Sequence, residues 1–505
     1  MTHLVWAIWT PFLGAMVCLL LRGRAVAWAG LAASLAVFGV CINLVMSVWE
    51  HGFVRVELGG WAAPLGIGLY LDGIGALFML LTAMVGVLVG VYAMSFFGHD
   101  SPDHPDRRHG QGRMRPYFWP IWLLLWGGLN GLYLSSDIFN AYVLLEIVGI
   151  AAVGLTVLSG TRASLTAGLR YLLATMFASL MYLLGVALLY AQIGRLDFFL
   201  LAETMTPSLP VLAAFGLMTF GLLIKGALLP FHFWLPPAHS SAPAPVSAIL
   251  SAMVTKAAFF LLLRIWFVIF PEILVPATGQ LIGLMGAVAV LWGSLQAVRQ
   301  TSLKMLIAYS TVGQLGYLFL LFALIPGGTH GSEAWASIAW TGMMFHVFSH
   351  GLAKAALFLA AGCLVLAMGT DDLRAMRDIA GRLPVITFTL AVAGVSLMGL
   401  PPSAGFVAKW MLLKASLASG QWWWVVVIAL GGLLTASYVF KILSFTFVPS
   451  TSRPMDLKPV PMVMTLVALT LAVLCALFGF RAEEVIAMLP QGVDMAFPDI
   501  PGGRP

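Results

Sequence analysis

Long apolar runs, broken at near-regular intervals by Gly, Pro or charge, dominate this chain of 505 residues. Each run approaches or exceeds about 20 residues, the length a helix needs to cross the hydrocarbon of a bilayer. The pattern therefore predicts an all-α membrane protein with about 14 transmembrane helices. The predicted spans are 3–21, 26–48, 72–97, 116–134, 138–159, 164–192, 208–229, 244–270, 276–298, 303–325, 334–367, 383–417, 421–448 and 459–480. Several are long enough to tilt or break. The chain divides into three N-terminal helices with a polar loop (1–115), a five-helix group (116–270), a second five-helix group (276–448) and a last helix with its tail (459–505).

Composition agrees with a lipid solvent. The chain is 61% hydrophobic and 9% charged, where soluble domains carry about 25% charged residues. Seventeen tryptophans and 32 phenylalanines suit helices packed in hydrocarbon with aromatic belts at the interfaces. The net charge of +6 is scattered through loops and spans, with no basic run of the kind that binds nucleic acid. Cys18, Cys41, Cys363 and Cys475 all sit in apolar stretches without a C-x-x-C pattern, so they read as small packing residues and not as disulfides, cluster ligands or zinc sites. The N-terminal run lacks a basic start and a small-residue cleavage site, and reads as a retained first helix.

The Lys and Arg in the loops set the expected orientation. Alternate loops carry Arg22 and Arg24; Arg107, Arg108, Arg113 and Arg115; Arg162; Arg299; Arg374, Arg377 and Arg382; and Arg453 and Lys458. The intervening loops hold little beyond Arg55 and Arg195. Both termini are thus expected to face away from the cytoplasm. The polar stretch 98–115 reads as a short cytoplasmic loop whose histidines and arginines are surface charge.

Ionisable groups in hydrocarbon cost several kcal/mol, so each one inside a span is a functional candidate. The acids fall in loops or at span ends, except Glu146, about two turns inside span 5. Lys225, Lys256, Lys354 and Lys409 lie within or beside apolar spans, as do Arg170, Arg264, Lys414 and Lys441. Arg264, Lys414 and Lys441 read equally well as anchors that snorkel to an interface. Burial lowers the pKa of a lysine and a nearby carboxylate raises it again, whereas arginine stays charged. A Glu–Lys pair whose separation changes can therefore take up and release a proton; the plainer reading of Glu146 and Lys225 is a structural ion pair.

His346, His350 and Lys354 are spaced four apart and share one helical stripe. Imidazole passes protons through its two nitrogens near neutral pH. The competing reading, a zinc pair, lacks the glutamate of H-E-x-x-H and a third ligand. His232 and His239 flank a helix break and are ambiguous. Five prolines follow Lys225 in GALLPFHFWLPPAHSSAPAPVSA, and MGLPPSAGFVAKW interrupts span 12 just before Lys409. Broken backbone at membrane depth is tolerated where it is buried in protein or lines a wet cavity. Two such breaks in corresponding groups suggest inverted repeats, spans 4–8 and 9–13, with Lys225 and Lys409 as counterparts.

Five segments resemble the antiporter-like subunits of respiratory complex I, a superfamily that includes Mrp-type cation/proton antiporters and membrane-bound hydrogenases. They are DIFNAYVLLEIVGIAAVGL (137–155), KGALLPFHFWLPPAHSSAPAPVSAILSAMVTK (225–256), SLKMLIAYSTVGQLGY (302–317), FHVFSHGLAKAALFLAAG (345–362) and GLPPSAGFVAKW (399–410). The stretch LGGWAAPLGIGLYLDGIGALFML (58–80) is similar to Mrp-type D subunits and their hydrogenase relatives. The resemblance implies 14 helices, two inverted five-helix repeats and discontinuous helices 7 and 12. It implies that Glu146 pairs with Lys225, that Lys256 is the connecting lysine, that His346, His350 and Lys354 form a central relay, and that Lys409 is the terminal residue, lysine or glutamate in this superfamily. One departure is Ser302, where the family often has an acid shortly before the lysine, here Lys304.

The resulting expectation is a proton-translocating membrane subunit of a multisubunit cation/proton antiporter, with sodium as the expected cation, other membrane subunits as partners, and a bacterial-type inner membrane as its place. A subunit of a redox-driven complex, such as a membrane-bound hydrogenase or a complex I-like dehydrogenase, is the alternative. The chain has no flavin, haem or cysteine-cluster motif, so no cofactor or metal is expected of it. An independent solute permease would need a polar substrate site distinct from the titratable groups, which the sequence does not suggest.

Overall fold

Apolar backbone in hydrocarbon must satisfy its own hydrogen bonds, and this chain does so almost wholly as helix. The computed structural model describes residues 3–98, 117–271, 275–325, 334–449 and 456–488. Apart from Gly98, the polar loop expected at 98–115 with Arg107, Arg108, Arg113 and Arg115 lies outside the described residues, as do Arg453 and the tail beyond Met488.

The chain opens with α1 (His3–Leu20) and α2 (Arg24–His51). A two-stranded antiparallel hairpin follows, β1 (Val54–Glu57) and β2 (Gly68–Leu71), in register Arg55 opposite Tyr70. Then come α3 (Gly73–Gly98), α4 (Phe118–Leu134), α5 (Ile138–Thr156), α6 (Arg162–Ile193) and the short α7 (Phe198–Thr204). The proline-rich region holds α8 (Leu209–Lys225), α9 (Leu235–Ser241), α10 (Ala244–Ile249) and α11 (Thr255–Arg264). The second half contains α12 (Pro276–Arg299), α13 (Leu303–Leu324), α14 (Ala334–Met368) and α15 (Ile379–Arg382). It continues with α16 (Pro384–Met398), α17 (Ala404–Ala418), α18 (Trp422–Phe447), α19 (Met462–Phe480) and α20 (Ala482–Met488).

Among the described residues, 11 helices are long and apolar enough to cross a membrane. Three predicted spans are instead short or interrupted. Span 4 is the 17-residue α4. Span 7 stops at Lys225, turns through Gly226–Pro230 and resumes as a 3-10 turn and α9. Span 12 splits into α16 and α17 around Gly399–Ser403. Span 8 is helical throughout but irregular, with π turns at Leu250–Val254 and Ile265–Ile269 on either side of α11. Local chemistry explains the boundaries. Asp137 accepts the first N–H groups of α5, Asp197 those of α7, and Ser302 and Ser403 cap α13 and α17.

The middle of the molecule is the segment Ala244–Ile269, which is 100% buried, against α13 and α14, each 89% buried over its apolar window. α1, α2, α18 and α19 bury a third or less and form the outside. The loops meet at two ends, as alternating crossings require. At one end Ser159 binds Ser241, Lys304 binds Ala242, Ser302 binds Asp371, and Lys441 binds Val298 and Gln300. At the other, Ser136 binds Gly68 and Asp197, and Asp137 bridges Asp197 through the backbone.

α12 and α13 pack with backbones nearly touching, because small residues face one another, the usual solution for helices in lipid. A Cβ added to Gly286 would stand 2.6 Å from the carbonyl oxygen of Gly316, a backbone atom that cannot move aside. Gly286→Val should therefore separate the two helices and destabilise the protein by about 1–3 kcal/mol. A lowered thermal midpoint of the purified protein in detergent is the expected result; an unchanged midpoint would disprove the close packing.

Candidate functional site

The first candidate group forms where α8 ends. Lys225 is the last residue of α8, and its Nζ donates to Glu146 Oε1 of α5 at 2.8 Å. The same oxygen accepts the hydroxyl of Ser179 from α6. The Glu146 side chain keeps 25% of its surface exposed, against 5% for Lys225, so the carboxylate is the open side of the pair. Trp234, just past the break, donates its indole N–H to Ile224 at 3.0 Å and stacks on Tyr171 at 4.2 Å. The break is thus pinned on both sides of the lysine, and the last turn of α8 holds its place although the helix stops there.

Lys256 begins α11 and is fully buried. Its ammonium donates to the Ser251 carbonyl at 2.9 Å, inside the preceding π turn, and Ser251 Oγ lies 3.0 Å from Thr311 Oγ1 of α13. His346 and His350 lie on α14 with parallel rings, centroids 5.8 Å apart. The Nε2 of His346 is 2.9 Å from the Gln314 carbonyl, which can only accept, so Nε2 carries the proton and Nδ1 is left as an acceptor. Both ring nitrogens of His350 lack a hydrogen-bond partner among the described residues, as do those of the buried His239. Lys354 donates to the Ile307 carbonyl at 3.0 Å and to the Ser310 hydroxyl.

Lys409, in the second turn of α17, reaches back across the break of span 12. Its Nζ donates to the carbonyls of Leu397 at 2.7 Å and Met398 at 3.3 Å, and lies 4.6 Å from the centre of the Tyr317 ring. Gly399 makes this possible. Its φ of 82° favours glycine, and a Cβ there would come within 2.6 Å of Lys409 Cδ. Tyr317 also packs on His346 at 5.4 Å, so one ring joins Lys409 to the histidine stripe.

Six of the seven expected residues are buried and Glu146 is partly exposed, and they meet in subsets. Glu146 and Lys225 touch directly. Lys256 (through Ser251), His346, Lys354 and Lys409 connect through α13, whose Ile307, Ser310, Thr311, Gln314 and Tyr317 form one stripe of contacts, and His350 joins them through the stacked ring of His346. No hydrogen bond among the described residues joins Lys225 to Lys256. The Ser310–Thr311 pair, Gln314 and Tyr317 recur at three- to four-residue steps along a largely apolar helix, a signal present in the sequence and not read from it.

Two acids at span ends or in loops, Asp72 and Asp197, are nonetheless buried, to 2% and 4% exposure. Arg264 is no interfacial anchor: its guanidinium makes a two-bond ion pair with Asp72, NH1 to Oδ2 at 2.7 Å and NH2 to Oδ1 at 2.5 Å. Asp72 stands at the margin of predicted span 3, where a loop acid raises no question. Lys414 is exposed beside Trp410, and Arg170 is exposed on α6, both compatible with anchoring. Lys441 is tied to the C-terminal carbonyls of α12. Lys304, at the start of α13, is a further buried lysine and donates to Ala242 beyond the end of α9. Ser302, which stands where an acid was expected, hydrogen-bonds the Asp371 carboxylate across the loop.

At the end of the molecule near the hairpin, burial raises the carboxyl of Asp197 above its ordinary value, an effect eased by the Leu200 N–H and the Arg55 charge. Burial likewise raises Asp137, which is eased by the Asn140 and Phe139 N–H groups and reinforced by Asp197.

Comparison with known proteins finds relatives along most of the chain. The chain is 35% identical over 429 residues to the N subunit of the NADH-quinone oxidoreductase of Desulforudis audaxviator, covering 84% of this chain and 81% of the other. It is 30% identical over 464 residues to the D subunit of the Na(+)/H(+) antiporter of Alkalihalophilus pseudofirmus, covering 90% and 88%. A chain of the solved Mrp complex from Dietzia sp. DQ12-45-1b superposes with a TM-score of 0.86 at 25% identity, over 98% of this chain and 96% of that one. The fold also matches a chain of the membrane-bound sulfane sulfur reductase, an archaeal respiratory membrane complex, with a TM-score of 0.85 at 24% identity over 98% and 97%. The family described as NADH:quinone oxidoreductase/Mrp antiporter, transmembrane, matches residues 135–435, more than half of the chain, and this multi-pass membrane protein belongs to it.

Proposed function

We propose that this chain is the proton-translocating subunit of a multisubunit cation/proton antiporter complex in a bacterial-type inner membrane, with sodium as the exchanged cation. The reading rests above all on the Glu146–Lys225 pair at the broken end of α8, where a buried ammonium faces a partly open carboxylate. A proton taken up there neutralises Glu146 or reloads Lys225, and charge passes through Lys256 and the His346, His350 and Lys354 stripe to Lys409. The Na(+)/H(+) antiporter relative and the Mrp complex supply the cation and the expectation of neighbouring membrane subunits. In the same reading the 11 long helices, with α4 and the two broken segments, make 14 crossings in two inverted five-helix repeats, and both termini lie outside the cytoplasm.

Removing either member of the pair should abolish cation-dependent proton movement. In vesicles holding the assembled complex, Lys225→Ala and Glu146→Gln should each lower exchange by at least about tenfold without loss of the complex. Lys225→Arg separates titration from static pairing, since guanidinium keeps the ion pair and stays charged at working pH. It should assemble and still fail to exchange. An active Lys225→Arg protein would reduce the pair to a structural role, and an active Lys225→Ala protein would end the proposal.

The similarity to the NADH-quinone oxidoreductase relative favours a second reading, a proton-pumping subunit of a redox-driven complex. The same buried groups would serve, with electrons handled by other subunits. The complex purified through a tag on this chain decides between them. Only further membrane subunits should accompany it if the antiporter reading holds; co-purifying flavin or iron–sulfur proteins would establish the redox-driven one.

A further inference from the structure

The Asp72–Arg264 pair has no place in the path from Glu146 to Lys409, yet it is among the most buried charge pairs in the protein. Its position on α11 gives it meaning. Lys256, Phe260 and Arg264 are spaced four apart on one helical stripe, so the ring lies between the amine and the guanidinium. Lys256 and Arg264 are separated by eight residues, about 12 Å along the helix. Phe260 fills that interval together with two other rings. Phe78 of α3 lies 5.2 Å from it, Tyr133 of α4 lies 5.1 Å from it, and these two are 5.6 Å apart.

Three rings from three helices pack against one another as a largely apolar barrier, with the ion pair against the Phe260 ring. Arg264 lies 5.1 Å from the centre of the Phe260 ring and 5.9 Å from that of Tyr70. Asp72 holds the guanidinium by two hydrogen bonds and is itself fixed at the start of α3, accepting from Gly75 N–H at 2.9 Å. On the near side of the barrier, the Lys256 ammonium is turned towards Ser251, away from Arg264. On the far side stand Tyr70, Arg55 and the Asp197–Ser136 cluster, whose Asp197 carboxyl burial raises towards the protonated form. The π turns Leu250–Val254 and Ile265–Ile269 bound the segment carrying all three stripe residues, and such turns are common at functional sites.

We propose that Phe78, Tyr133 and Phe260, latched by Asp72 and Arg264, are a gate between Lys256 and the hairpin end of the molecule. In the orientation given above, that end faces outward, so the gate controls a second outlet, in the first half of the protein. When it opens, the Lys256 ammonium gives its proton to water reaching it from that end and becomes a neutral amine. Asp72 and Arg264 act as positioning residues.

The test is passive proton leak through liposomes carrying the assembled complex, read as decay of an imposed pH gradient with no exchangeable cation present. Phe260→Ala should speed the decay by at least about tenfold, Asp72→Asn should speed it less, and adding Lys256→Ala to Phe260→Ala should return it to the wild-type rate. A Phe260→Ala protein as tight as wild type would overturn the gate, and so would a leak indifferent to Lys256. Should Phe260→Ala fail to assemble, Phe260→Leu and Phe78→Leu keep the apolar packing while removing a flat ring, and two tight variants would overturn it equally. The inference rests on the lysine path proposed above, but the two fail separately. Exchange lost in Lys225→Ala with a tight Phe260→Ala sinks the gate alone; a leaky, Lys256-dependent Phe260→Ala without cation exchange in wild type sinks the antiporter reading alone.

Discussion

The constraint on which this protein depends is the demand of each buried cation for acceptors in a medium without water. Carboxylates meet that demand only in part. Lys225 has Glu146 and Arg264 has Asp72. The other lysines inside or at the edge of the bundle turn to backbone carbonyls, in most cases where a helix breaks or ends, Lys354 on Ile307 of α13 being the exception. Lys409 takes those at the broken end of α16, and Lys304 takes Ala242 past the end of α9. Lys256 takes Ser251 in a π turn, and Lys441 takes the last carbonyls of α12. Helix C-termini carry partial negative charge and unused acceptors, so breaking a helix creates a cation site without placing another acid in the membrane. The prolines and glycines after Lys225 and before Lys409 are, on this view, part of the charge machinery as much as the lysines are.

How far this could be read from sequence follows from the same constraint. Lipid enforces about 20 apolar residues per crossing, so the spans were legible, and it excludes stray charge, so Glu146, Lys225, Lys256, Lys354 and Lys409 stood out. What lipid does not enforce left no such mark. The β1–β2 hairpin was signalled only by the short alternation Val54–Glu57, inconspicuous in a Gly- and Pro-containing loop between long apolar spans. Asp72 sits one residue before α3 and looks like a loop acid until the fold brings Arg264, 192 positions away, onto it. Ser179 is 33 positions from Glu146, with nothing local to link them. The polar stripe of α13 was visible in principle, but Ser310, Thr311, Gln314 and Tyr317 are neutral and act by holding titratable residues in place.

That holding function accounts for the central place of α13. It offers carbonyls and hydroxyls to Lys354, a carbonyl to His346 and a ring to Lys409. Its opposite face is stripped to Gly313 and Gly316 so that α12 can lie against it. Small residues on one face and polar ones on the other make a rigid rail on which the titratable groups of α14 and α17 are registered. Because His346 must donate from Nε2 to Gln314, the rail also selects the tautomer and points the accepting nitrogen elsewhere.

The two broken helices solve the same problem with different consequences. Lys225 ends the helix before its break and faces a carboxylate; Lys409 follows its break and faces carbonyls and the Tyr317 ring. An ammonium that loses its proton beside a carboxylate leaves that carboxylate without its counter-ion, so loss of charge at Lys225 is coupled to the state or position of Glu146. An ammonium held by neutral carbonyls becomes an amine that still donates to them, and only ion–dipole attraction is lost. The first arrangement makes protonation depend on a partner that can move or titrate, whereas the second tolerates either state in fixed surroundings. On the proton path proposed above, this difference assigns the coupled step to the Glu146 end and the holding of charge to the Lys409 end, with the partly exposed side of Glu146 open to a neighbouring subunit.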